Sequence, residues 1–169
     1  LEAGIDFENI SDRRTGFQIA GPMARTVLAE VTRADVSAES FLFMDVKRML
    51  VGMCDCIVQR LSYTGDLGYE IYTDAMDQRS LWETLFAAGQ KRGMRPFGMR
   101  AMMSLRLDKF FGSWLSEFSP DYTPAETGMD RFVAFNKGAD FIGRSAVEAE
   151  RKNGAARKLV IFECAQGVR

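Results

Sequence analysis

Leu61-Ser62-Tyr63-Thr64-Gly65-Asp66-Leu67-Gly68-Tyr69-Glu70-Ile71-Tyr72 is the stretch on which the rest of the chain is organised. Cys56-Ile57-Val58-Gln59-Arg60-Leu61 before it is rich in strand formers, and Tyr69 to Thr73 after it alternates like a strand. Thr64 to Gly68 supplies the turn, with two glycines free to take positive φ. The stretch therefore reads as a β-hairpin. Tyr69, Ile71 and Thr73 share one face of its return strand, which sends Glu70 and Tyr72 together to the other. A carboxylate among apolar and aromatic residues is costly to bury unless donors reach it. Two readings follow: Glu70 lies in water on an edge strand, or it receives a ligand's hydrogen bonds.

The rest of the composition narrows the class. A chain of 169 residues, 47% hydrophobic and 27% charged, suits a soluble globular protein with one good-sized core or two small ones. Net charge is −1 with both signs interspersed, so no footprint for nucleic acid or an anionic membrane stands out. No apolar run reaches membrane-spanning length, and the N-terminus lacks a signal-peptide layout, which points to an intracellular protein. The absence of histidine removes Ser-His-Asp and Cys-His chemistry and most zinc sites, so no metal is expected. Of the three cysteines, Cys54 and Cys56 are two apart on one strand face and Cys164 stands alone; all read as structural thiols.

In chain order, Ile5–Ile10 alternates like a short strand, Asp12–Arg14 reads as a solvated turn and Gly16–Ala20 as a strand ended by Gly21-Pro22. A helix follows to about Val31, with Met23, Val27, Leu28 and Val31 inward. Phe41–Met44 reads as a buried segment, and residues 51–61 and 68–73 form the hairpin. A helix from Gln78 to about Lys91 buries Leu81, Trp82, Leu85 and Phe86, and Pro96–Gly98 opens a short strand. That order predicts an α+β fold with a ferredoxin-like β-α-β-β-α-β layer. Met99–Phe110 reads as a helix, residues 111–128 as a long loop of the kind that often carries function. Phe132–Phe135 reads as a strand, residues 145–152 as a helix, and residues 153–156 as a linker. The expected division is residues 1–156 as one domain and 157–169, with a strand at Leu159–Phe162, as the start of a C-terminal barrel.

Four motifs in order carry a family resemblance. Tyr63-Thr64-Gly65-Asp66-Leu67-Gly68-Tyr69-Glu70-Ile71 resembles the Y-T-G-E-x-G-x-E-I pattern of the glycine-cleavage aminomethyltransferase (T-protein) family. Leu105–Lys109 is similar to its L-R-L-E-K helix, Pro124–Met129 to its P-x-E-A-G-L loop, and Lys137 with Asp140–Arg144 to its K-x-D-F-I-G-R run. Gly21-Pro22 matches its Q-G-P turn. The resemblance implies tetrahydrofolate bound among three lobes and a one-carbon unit moved onto it from an amine. It puts Tyr63 against the pterin and Glu70 on the pterin's 2-amino and ring N–H donors; Tyr72, which shares Glu70's strand face, is a further folate-binding candidate. A pterin edge with two parallel donors suits a carboxylate with two acceptors.

The departures from the pattern refine the expectation. Where free-standing aminomethyltransferases carry a folate-holding arginine, this chain has Met102. With Phe111–Trp114 and Asp130–Val133, it is more similar to the folate-binding half of dimethylglycine and sarcosine dehydrogenases, in which Arg131 stands where a folate contact occurs. Arg106 and Asp108 read as a helix-surface pair or as fold-stabilising charges. The resemblance puts the catalytic aspartate, and an FAD-binding half, outside these residues, so no catalytic residue is expected in this chain and none of the transfer by it alone. The implied partners are folate and a small N-methyl amine, with self-association through exposed lobe surfaces. The implied location is the cytoplasm, or the mitochondrial matrix in a eukaryote. A free-standing aminomethyltransferase, a folate-binding protein without transfer chemistry (as in the branch linked to iron–sulfur assembly) and a structural or regulatory α+β module are the alternatives.

Overall fold

The computed structural model describes residues 4–163, and the chain divides into two compact units, residues 1–109 and 110–169. The first unit is a four-stranded antiparallel sheet: β1 (Arg14–Ala20), β2 (Val46–Val51), β3 (Cys54–Gln59) and β4 (Gly68–Asp74), in the order β1-β4-β3-β2. Helices α1 (Ala24–Val31) and α2 (Gln78–Gln90) pack on one face. That inner face holds Ile19, Val51, Val58 and Ile71, closed over by Leu28 of α1 and Leu81 of α2. Cys54 and Cys56 are buried there too, and burial pushes the Cys56 thiol up to about 11, which keeps it protonated and unreactive. Cys164 lies outside the described residues.

The α+β expectation holds; the ferredoxin-like order does not. That layer would place β1 inside the sheet, whereas β1 is an edge strand beside β4. The strand expected at Pro96–Gly98, which would cover the far side of β1, does not form, and an unexpected strand precedes Gly52. The Gly52 φ of 58° turns the chain in two residues, so Val51 pairs with Cys54 and a separate strand, β2, precedes the expected hairpin. The sheet is therefore a β2-β3-β4 meander with β1 added at its edge.

Other corrections follow from burial and pairing. Ile5–Ile10 forms no strand and leads into a 3₁₀ turn at Ser11–Arg13; its Phe7 is 78% exposed, so alternation there buries nothing. Of Phe41–Met44 only Phe41 is buried, its carbonyl accepting from Arg60 Nη1 at 2.6 Å, while Met44 turns outward at φ 71°. Met23 is exposed, and Trp82 sits at the rim of the core, 5.7 Å from Phe17 and 5.5 Å from Phe86 between ring centres. α3 (Met99–Leu105) ends in a 3₁₀ turn at Arg106–Lys109, where Arg106 is buried and Asp108 exposed, so the two are not a surface pair.

The second unit is held by polar groups. α4 (Pro124–Thr127) starts with a reciprocal cap: Glu126 N–H donates to Thr123 Oγ1 at 3.2 Å, and Thr123 N–H donates to Glu126 Oε2 at 3.1 Å. Arg157 Nε donates to the other oxygen of that buried carboxylate at 2.9 Å. α5 (Arg144–Asn153) joins through Thr123 Oγ1, which donates to Glu150 at 2.6 Å. Phe132–Phe135 and Leu159–Phe162 take no strand pairing among the described residues; Asp130–Phe132 is a 3₁₀ turn, and Leu159 N–H donates to the Glu126 carbonyl.

Two outcomes are expected. A Cβ at Gly68 would come within 2.8 Å of the Ile19 carbonyl oxygen and 2.6 Å of Ser62 Cβ. Gly68→Ala therefore forces β1 and β4 apart and costs about 1–3 kcal/mol, measured by denaturant unfolding. Arg157 foremost, then the Thr123 N–H, holds the Glu126 carboxyl below its ordinary value of 4.5. A depressed folded-state value stabilises the fold above that ordinary value, and the contribution is lost as pH falls through the lower one. Glu126→Gln then gives a far-UV signal that is lower at neutral pH but changes less between pH 5 and pH 2 than that of the parent.

Candidate functional site

The outer face of the sheet, away from the helices, gathers the polar groups. β4 is its centre because it is paired on both edges. Glu70 stands between Gln18 of β1 and Gln59 of β3 in one cross-strand row. In the adjacent row Tyr72 stands between Gly16 and Ile57. Alternation assigns this face: Tyr69, Ile71 and Thr73 are fully buried on the inner side, Glu70 is half-buried and Tyr72 is 37% exposed on the outer.

The Tyr72 hydroxyl donates to Glu70 Oε2 at 2.6 Å. Its ring lies across Gly16, where a Cβ would come within 2.8 Å of Tyr72 Cδ1. The Glu70 hydrogen bond first, and burial second, push the Tyr72 phenol up to about 12. Gln18 Nε2 donates to Ser62 Oγ at 3.3 Å, and Ser62 Oγ and Thr64 Oγ1 share a hydrogen bond at 2.8 Å. This chain of side chains ties β1 to the β3–β4 loop, on which Tyr63 is half-buried. Gly65, at φ 80°, lies directly under the Lys109 side chain, so the loop is backed by the turn that ends α3.

Glu70 and Tyr72 thus share one face and one hydrogen bond, and Tyr63 sits on the turn that leads into their strand. Arg131 belongs to the second unit, where its guanidinium lies 4.8 Å from the Phe132 ring centre beside a cavity of about 370 Å³ that Lys137 and Arg151 also line. Sequence reading missed Gln18, Gln59 and Gly16. Their parity in β1 and β3 relative to Glu70 was the available signal, but it needs the strand order and register to be read.

A cavity of about 660 Å³ opens at the outer edge of β1, walled by Trp82, Phe86, Met94, Phe97 and Met102. Gly16 and Gln18 border it; Tyr63, Glu70 and Tyr72 do not. Among the described residues no group of His, Cys, Asp or Glu is placed to hold a metal ion, and no helix is long and apolar enough to cross a membrane.

Residues 1–137 match the GCVT N-terminal domain. The chain belongs to that family. Mouse mitochondrial dimethylglycine dehydrogenase (Mus musculus) is 38% identical over 161 residues, 95% of this chain and 18% of that protein. An aminomethyltransferase of Caldanaerobacter subterraneus subsp. tengcongensis is 36% identical over 159 residues, 94% of this chain and 42% of that protein. The chain spans less than half the length of either relative, and both are enzymes. A heterotetrameric sarcosine oxidase from Corynebacterium sp. U-96, in complex with pyrrole 2-carboxylate, aligns over 53% of this GCVT-family chain and 44% of its own, with TM-score 0.46 and 20% identity.

The Tyr72–Glu70 bond has a spectroscopic consequence. In a rapid alkaline jump followed by phenolate absorbance, Tyr72 ionises near pH 12 in the parent. In Glu70→Gln it ionises closer to the ordinary tyrosine value of 10.0, because the carboxylate that opposed the phenolate is gone.

Proposed function

We propose that this GCVT-family chain binds tetrahydrofolate on the outer face of its sheet, as the one-carbon transfer domain of an enzyme similar to dimethylglycine or sarcosine dehydrogenases. The observation that carries the reading is the half-buried Glu70 carboxylate at the centre of a rigid sheet, flanked in register by two side-chain amides. A carboxylate offers about four lone-pair sites, so with Tyr72 on Oε2 it still accepts two donors from a pterin edge. Gln18, whose Nε2 is engaged by Ser62, presents its carbonyl oxygen as a further acceptor. The residues present therefore fit a ligand edge rich in N–H donors.

In this reading Glu70 orients the pterin by two charge-assisted hydrogen bonds and Tyr63 packs against its ring. When bound, tetrahydrofolate supplies the nitrogen pair that takes up the one-carbon unit. The chain's own residues bind and orient; the proton-moving aspartate of the family, and an FAD-binding half, belong to other segments in this proposal. The 38% identity to a dehydrogenase and Met102, in place of an arginine, favour this branch over the free-standing aminomethyltransferases. The mitochondrial relatives support a mitochondrial-matrix location if the source is a eukaryote, and otherwise the cytoplasm. Residues 157–169 open a further domain in this scheme. Exposed Trp114, Leu115 and Ile142 favour self-association.

Folate titration tests the proposal. Glu70→Gln puts a donor against the pterin's donors and leaves them unpaired, which weakens binding by roughly 2–5 kcal/mol, as does Glu70→Ala. Tyr63→Ala weakens binding clearly, while Tyr63→Phe, which keeps the aromatic face, changes it little. Parent-like binding by Glu70→Gln sinks the assignment.

A further inference from the structure

We infer that Tyr72 is a positioning residue, which sets the rotamer of the Glu70 carboxylate through its hydroxyl, and that Gly16 is the slot that seats the Tyr72 ring for this task. The inference rests on the folate reading above and goes further, because it gives Tyr72 a role through Glu70 rather than a contact of its own.

The geometry supplies three links. Tyr72 and Glu70 are two residues apart on β4, so their side chains rise side by side from one face. A free glutamate there could swing through several rotamers; the 2.6 Å bond from the Tyr72 hydroxyl to Oε2 selects one. The phenol itself is held from behind. Gly16 is its register partner on β1, and the ring occupies the space that any Cβ at position 16 would take, 2.8 Å and 2.9 Å from Cδ1 and Cε1.

An aromatic laid over a glycine on an edge strand is also a known way to cover a weak point in a sheet. That structural role needs only the ring. The positioning role needs the hydroxyl as well, and the two separate cleanly in Tyr72→Phe, which keeps the ring and loses the donor.

The experiment is a double-mutant cycle on 5-formyltetrahydrofolate binding by the full-length polypeptide, with thermal melting and binding stoichiometry read on every variant. Tyr72→Phe should weaken binding about tenfold with stoichiometry and melting unchanged. In a Glu70→Gln background it should change nothing further, because no carboxylate remains to be held. Gly16→Ala, which pushes the ring aside, should reproduce Tyr72→Phe, and combined with it should add little. Independent, additive losses from Tyr72→Phe and Glu70→Gln would mean that Tyr72 touches the folate directly, and overturn the inference. Parent-like affinity in Tyr72→Phe, or a loss of melting temperature or bound sites in place of affinity, overturns it as well. If Glu70→Gln itself binds like the parent, the folate reading fails, a result distinct from a failure of Tyr72 alone.

Discussion

The register of β4 is the constraint on which the rest depends. The strand is bonded to β1 on one edge and β3 on the other, and its side chains alternate between a dry inner face and a polar outer one. A slip of one residue would carry Glu70 into the core and Tyr69, Ile71 and Thr73 out of it. Unpaired burial of a carboxylate and exposure of three core residues each cost several kcal/mol, so the slipped register does not compete. Gly68 locks the start of the strand, since only a glycine lets the Ile19 carbonyl come so near. Thr73 closes the other end, its buried hydroxyl donating to the Asp55 carbonyl at 3.0 Å.

Much of this was legible in the chain. The parity of Tyr69, Ile71 and Thr73 against Glu70 and Tyr72 needs only the two-residue period of a strand, and both α1 and α2 show as helical spacing of apolar residues. What the chain did not show has identifiable causes. Val46–Gln59 holds two strands with a turn of only Gly52 and Met53 between them, so reading 51–61 as one hairpin arm leaves β2 out, and the strand expected at Pro96–Gly98 to put β1 inside the sheet does not form. Ile5–Ile10 alternates but pairs with no strand, and Phe132–Phe135 likewise lacks a pairing partner among the described residues. Alternation reports that a segment could pair, and pairing is decided elsewhere in the chain.

The same distinction applies to the site. A motif names residues that are close in sequence, so Tyr63, Glu70 and Tyr72 were within reach of it. Gln18 and Gln59 lie 52 and 11 positions from Glu70 in the chain and reach it only through the register of three strands. Arg106 was ambiguous for a related reason: a charged residue on a helical pattern gives no sign of whether the helix turns it outward, and the tightening into a 3₁₀ turn at Arg106 buries it.

A carboxylate on a central strand has a physical advantage over one on a loop. The backbone under Glu70 is fixed by hydrogen bonds on both edges, so its Cα position costs nothing to order when a ligand arrives. What remains free is the side chain, and there the sheet supplies a second device, because the residue two along on the same face reaches the same height. A tyrosine at that place can donate to the carboxylate while its ring rests on the neighbouring strand, provided that strand carries a glycine opposite. Backbone and side-chain order are thus set by the same two strands, β1 and β4. That coupling explains why a recognition residue can sit in a regular sheet rather than in a loop: the strand that fixes the core also aims the carboxylate.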